Sequence, residues 1–192
     1  MRELTLPERL DRLKTALSDP AILKAQGLGN EIAFYIFDYD PQFEPTVTAH
    51  VQRLLERLEY EVLHVDLYRV CLEAIDARGL TQRALDLEAQ KGSAALAKAL
   101  HATLAPDKLA RLIAEKVTPQ HRLVFLTGVG AAWPLARSHA LLNNLHALLD
   151  HVPLVTFYPG RYDGESLKLF STFDDDNYYR AFQLVPRTTR SA

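Results

Sequence analysis

Glycine, hydroxyl and charged side chains gather at two places in this sequence, Thr127-Gly128-Val129-Gly130 and Tyr158-Pro159-Gly160-Arg161-Tyr162-Asp163-Gly164, and each follows an apolar run. A strand, a Gly-x-Gly turn and a helix would aim backbone N–H groups and the positive end of a helix at a phosphate. The first stretch has the opening of that pattern but not its end. Trp133 stands where the third glycine of a dinucleotide loop belongs, and Pro134 follows it. The turn reads instead as a tight strand-to-helix connection with Pro134 in the first helical turn. No lysine follows a glycine anywhere, and Lys91-Gly92-Ser93 has the reverse order, so a phosphate loop of the Gly-Lys-Ser/Thr type is excluded.

Metal chemistry needs ligands that converge. His139 and His146 lie about two helical turns apart, His151 lies beyond them, and there is no His-x-x-x-His or paired cysteine motif. The acidic triplet Asp174-Asp175-Asp176 lacks the glycine and closing glutamate of a calcium loop. The arrangement that stays open is a hard cation at strand ends, with Asp38 or Asp40 opposite Asp66. It would support metal- or nucleotide-dependent phosphoester chemistry at the carboxyl edge of a sheet. Nucleophilic catalysis has less to draw on. Ser138 and His139 are adjacent, so on a helix they point about 100° apart. Cys71 sits in an apolar run and reads as a small buried hydrophobe. No residue is assigned as catalytic, cofactor-binding or metal-binding, and no cofactor is implied.

The same region offers the chemistry of a protein interface. Leu141, Leu142, Leu145, Leu148 and Leu149 form a core stripe, which leaves Arg137, Asn143, Asn144, His146 and Asp150 on other faces of that helix. Two consecutive asparagines are poor helix formers and point to hydrogen bonds with a neighbouring loop or a partner. With Trp133, Tyr158, Arg161 and Tyr162 they supply the aromatic and arginine side chains that dominate interface energetics. A network bracing the loops and a partner surface both fit these residues.

Positioning such residues requires strands. Leu123–Leu126 and Val152–Phe157 are apolar runs bracketing a helical segment, Ala132 to Asp150, and a right-handed crossover would bring both loops to one sheet edge. Glu31–Phe37 reads as a strand buried on both faces, closed by Asp38-Tyr39-Asp40-Pro41. A helix over Thr46–Glu59 and a strand over Glu61–Leu67 follow it. Upstream, Leu10, Leu13 and Leu17 mark an amphipathic helix from Pro7; Pro20 restarts a shorter one, which Gly27 would end. Between Tyr68 and Thr118 there is no strand signal, and Gly79, Gly92 and Pro106 divide about three or four helices. Beyond the central unit, Leu167–Phe170 is a further apolar run, and Tyr179–Val185 alternates as an edge strand does. The expectation is one α/β domain over residues 1–192. It has a parallel sheet of about four to five strands, flanking helices and a helical insert at about 68–118.

The chain has 192 residues, a formal net charge of −2 and one cysteine, Cys71. An intrachain disulfide is impossible, and a reducing compartment, the cytoplasm, is expected. The opening residues read as the approach to a helix rather than a leader, and no apolar run is long enough to span a bilayer. The acidic balance argues against direct binding to nucleic acid, and Arg187-Thr-Thr-Arg190 reads as a solvated tail.

Three stretches in order, Phe125–His146, Phe157–Gly164 and Asn177–Pro186, resemble the BrxB family of BREX bacteriophage-exclusion operons, and the resemblance extends over nearly the whole chain. It implies a role in phage defence alongside a methyltransferase, a large ATPase and the alkaline-phosphatase-like protein PglZ. It implies no established activity. The expected fold is similar to a P-loop or Rossmann-like fold without its phosphate loop. The expected role is that of a non-catalytic adaptor docking another BREX protein, with the PglZ-type protein first. The candidate partner or ligand surface is Asp38, Asp40, Thr127, Trp133, Arg137, Asn143, Asn144, Tyr158, Arg161, Tyr162 and Asp163.

Overall fold

The computed structural model describes residues 2–23, 34–149, 151–174 and 181–189. Gly27, Glu31, Asp150, Asp175, Asp176, Tyr179 and Arg190 therefore lie outside the described residues.

Near the amino terminus, β1 (Arg2–Glu3) leads into α1 (Leu6–Leu17). The helix starts because Thr5 and Glu8 form a capping box. The Glu8 carboxylate accepts from the Thr5 N–H at 2.9 Å, and the Thr5 hydroxyl accepts from the Glu8 N–H at 3.5 Å. After α2 (Pro20–Leu23) comes β2 (Phe34–Tyr39), two residues longer at its carboxyl end than its apolar run suggests. Asp40 accepts from the Gln42 N–H and opens a short 3-10 turn, Pro41–Phe43. That turn starts α3 (Glu44–Leu55) earlier than Thr46 and with a proline in its first turn.

β3 (Val62–Asp66) passes directly into α4 (Leu67–Asp76), because Asp66 is the N-cap and accepts from the Arg69 N–H at 3.1 Å. The helical stretch continues as α5 (Thr81–Leu100), kinked at Gly92, and α6 (Pro106–Ala114), so the glycine and proline punctuation was read correctly. β4 (Leu123–Thr127) is followed by α7 (Val129–Ala132) and α8 (Ser138–His146). The single helix expected from Ala132 is thus two helices. The expected place of Pro134 is corrected with it: the proline follows α7 instead of opening a helix, since it cannot donate to the ladder and disfavours helix just before itself.

β5 (Leu154–Tyr162) runs five residues past Phe157, because its end pairs antiparallel with β6 (Leu167–Leu169), which pairs in turn with β7 (Phe173–Asp174). What reads as a loop after Phe157 is therefore mostly strand. The chain closes with β8 (Phe182–Gln183) and β9 (Thr188–Thr189), which pairs with β1.

The fold is α/β, as expected. Five parallel strands lie in the order β3-β4-β5-β2-β8, and β6 and β7 extend the sheet from β5. Alternate side chains feed two cores. Ile36, Val124, Leu126 and Leu154 pack under α4 to α8, whereas Phe37, Phe125, Val155 and Phe157 pack under α1 to α3. The route from β2 to β3 thus crosses one face, and the routes onward to β4 and β5 cross the other. The strand order reverses beside β2, and in open α/β sheets the crevice outside the carboxyl ends at such a point is the usual ligand position. Among the described residues, no helix is long and apolar enough to cross a membrane.

Candidate functional site

The crevice at the end of β2 is filled by side chains of the chain itself. Asp38 is buried, and two guanidinium groups close on it. Arg9 of α1 donates from Nη2 to Asp38 Oδ1 at 2.9 Å, from Nη1 to the Asp38 carbonyl at 2.6 Å and from Nε to the Val185 carbonyl at 2.8 Å. Arg187 donates from Nε to Asp38 Oδ2 at 2.8 Å and from Nη2 to the Gly160 carbonyl at 2.9 Å. The Tyr162 N–H also points at Asp38 Oδ2, at 3.4 Å. Burial pulls Arg9 below its ordinary pKa while the Asp38 carboxylate pulls it back, and a guanidinium stays protonated in either case. Arg9 also lies over the Phe37 ring, 4.5 Å from its centroid.

This cage joins α1, β2, β5 and the segment after β8. Gly160 is required for it, since a Cβ there would fall 2.1 Å from the Lys168 carbonyl of β6. The reading of Arg187 as a solvated tail residue is corrected: it is a partner of Asp38. Arg9 was missed, although its four-residue spacing from Leu13 and Leu17 places it on the buried stripe of α1.

The strand-end cation site also fails to form. Asp38 lies on β2 and Asp66 on β3, with β4 and β5 between them, so the two ends are about 14 Å apart at ordinary strand spacing. Asp38 is engaged by arginines and Asp66 caps α4. Among the described residues, no three His, Cys, Asp or Glu side chains are grouped so as to hold a metal ion. Cys71 is fully buried, and burial pushes its thiol up to about 11.

Several other candidates brace the loops. The Asp163 carboxylate accepts from the N–H groups of Ser166 (2.7 Å) and Glu165 (2.9 Å) and from the Ser166 hydroxyl, which holds it below the usual carboxylate range. The buried Tyr162 hydroxyl lies 2.9 Å from the Gly164 and Ala181 carbonyls and 3.0 Å from the Ala181 N–H, which donates to it. Tyr158 is wholly buried in the core. Thr127 Oγ1 lies 2.9 Å from His64 Nε2, and burial pulls that imidazole below its ordinary value. Asn144 donates to the Ala140 carbonyl at 2.8 Å and Asn143 lies 3.3 Å from the His139 ring, so among the described residues both asparagines bond within α8. Arg137 is exposed at the start of α8. Arg161 and Asp40, both exposed, line a pocket of about 510 Å³ beside the arginine cage.

The glycines after β4 serve packing. Gly128 has φ +70°, and a Cβ on it would meet Asp66 Oδ1 at 2.4 Å; one on Gly130 would meet the Phe170 ring and Pro159, each at 3.0 Å. Phe170 belongs to the β6–β7 turn, where Phe170 and Ser171 have φ 54° and 57°. Bulky residues are seldom held in that conformation, which carries strain. The turn sets Phe170 edge-on to Trp133, with centroids 6.1 Å apart, and stacks Phe173 on Trp133 at 4.8 Å and 28°. Trp133 is 39% and Phe173 46% exposed. The structure thus separates the candidates into a buried polar cage around Asp38 and an exposed aromatic cluster around Trp133. Phe170 and Phe173 were missed as members of that cluster; the apolar run ending at Phe170 was their only trace in the sequence.

A family model described as "BREX protein BrxB" matches residues 63–184. The chain is 47% identical over 188 residues to a BREX protein BrxB of Bacillus cereus (strain H3081.97), covering 94% of this chain and 97% of that one. It is 37% identical over 195 residues to a BREX protein BrxB of Escherichia coli O9:H4 (strain HS), covering 100% and 98%. No solved structure matches the chain, so the expected likeness to a P-loop or Rossmann-like fold has no matching structure behind it.

Proposed function

Because the chain belongs to the BrxB family of BREX system components, we propose that it acts in phage defence as a non-catalytic adaptor, docking another BREX protein through the aromatic cluster at the carboxyl edge of its sheet. The observation that carries this reading is the stack of Trp133 on Phe173, held out from the fold by a strained turn. Large apolar rings cost free energy in water, and paired aromatic anchors are the usual centre of a protein interface. Arg137 and Arg161, also exposed, supply polar contacts of the kind found at interface rims. The crevice where an α/β protein ordinarily takes a small ligand is occupied by Arg9 and Arg187, which favours docking over ligand turnover.

The PglZ-type protein is the partner to test first. Co-purification of this chain with each BREX component in turn tests the reading. Wild-type chain retains one of them and Trp133→Ala/Phe173→Ala loses it; retention of none by the wild type sinks the adaptor role.

A further inference from the structure

Helices α4 and α6, in the same layer as α7, carry a second surface that the aromatic cluster does not use. α4 begins at the carboxyl end of β3 and runs back along the sheet, and its last turns meet α6 across a groove of about 530 Å³. Its floor is low and mostly apolar: Ala74 is buried, Ala77 is a single methyl and Leu112 is half-buried, with the buried Thr103 as its polar member. The rims are charged. Arg78, Lys108, Arg111 and Lys116 stand against Glu73 and Glu115, a local balance of +2 (four cations, two carboxylates) on a chain whose net charge is −2.

Only part of that positive charge is neutralised at short range. Lys116 Nζ lies 2.6 Å from Glu73, tying α6 to α4. Lys108 Nζ donates to the Ala102 carbonyl, and Arg111 reaches Asp107 only at 4.0 Å with its side chain 70% exposed. Arg78 is exposed and makes no ion pair among the described residues.

We propose that this groove docks an acidic amphipathic helix of a partner protein, with apolar side chains on the alanine floor and carboxylates against Arg78 and Arg111. Small residues let a second helix approach closely, and an apolar floor between basic rims matches a helix with one apolar stripe flanked by acids. The charge complementarity selects an acidic partner over a basic one. Nucleic acid fits less well, because a phosphate backbone gains nothing from the alanine floor and is repelled by Glu73 and Glu115. The site goes beyond the aromatic docking reading and stands or falls apart from it, since Trp133 is not part of the groove.

Fluorescence anisotropy tests it on the full chain. The probe is a labelled helical peptide of about 16 residues with leucines on one face and glutamates beside them; a lysine-for-glutamate version and a labelled DNA duplex are the comparisons. The acidic peptide binds, its affinity falls with added salt, and Arg78→Glu/Arg111→Glu weakens it by about tenfold or more. The milder Arg78→Gln/Arg111→Gln weakens it less and serves if the charge reversal impairs folding. The proposal is overturned by no acidic-peptide binding, by equal binding of the lysine peptide or the duplex, or by affinity unchanged in both variants. The Trp133→Ala/Phe173→Ala chain binds the acidic peptide as the wild type does; loss there would also move the site away from this groove.

Discussion

The arginine cage around Asp38 and the aromatic cluster around Trp133 occupy the same edge of one sheet and solve opposite problems. The cage takes charge out of water and satisfies it with short contacts from four parts of the chain. The cluster leaves apolar rings in water, supported from behind by Gly130 and the β6–β7 turn. Buried charge is kept only where every group is paired, and exposed aromatic surface is kept where something else covers it. Under the proposed function this contrast becomes a division of labour: the first region governs whether the edge folds, the second what it would dock.

Breaking the cage gives the largest effect. Asp38→Ala leaves two guanidiniums facing each other without their anion and costs about 3–5 kcal/mol of stability in urea unfolding; a loss under about 1 kcal/mol contradicts the role given to the cage. Gly160→Ala comes next, since its Cβ cannot coexist with the Lys168 carbonyl, and overpacking of this kind costs about 1–3 kcal/mol. Both variants lose stability, with docking lost alongside it. The aromatic cluster behaves differently. Trp133→Ala/Phe173→Ala shifts stability by about 1 kcal/mol or less, the value of an exposed ring pair, yet abolishes partner retention. Gly130→Ala lies between the two, because it pushes on Phe170 and Pro159 and so disturbs the cluster from beneath.

The smallest effect is a pH dependence. Burial is the main cause of the lowered pKa of His64, with Asp66 partly opposing it, so the folded chain holds fewer protons there than the unfolded one. Its contribution to stability is complete above the unfolded value of about 6.5 and is lost as pH falls from there through the lower folded value. His50 is shifted in the same direction, also chiefly by burial. His64→Gln therefore flattens the fall in stability below about pH 6.5 without abolishing it, as followed by thermal melts across that range.

Much of the fold was legible because its signals are local. Buried parallel strands need continuous apolar runs, and Leu123–Leu126 and Val152–Phe157 supply them. Gly79, Gly92 and Pro106 mark real helix ends or kinks. The site was legible only in part because its contacts are distant in sequence. Arg9 and Arg187 converge on Asp38 from the two ends of the chain, and no spacing rule joins such positions. Trp133 was identified by its chemistry, but Phe170 and Phe173 reach it through a turn whose positive φ angles occur at Phe and Ser rather than at glycine or asparagine. Asn143 and Asn144 point by type to a neighbouring loop or a partner, and among the described residues their side chains bond within α8.

The division between cage and cluster is tested most directly by size-exclusion co-elution of the chain with whichever BREX protein co-purifies with it, comparing wild type with Trp133→Ala/Phe173→Ala at matched concentration. The double variant, folded by its unfolding curve and circular dichroism, elutes apart from the partner while the wild type elutes with it. Co-elution of both chains to the same extent contradicts the account.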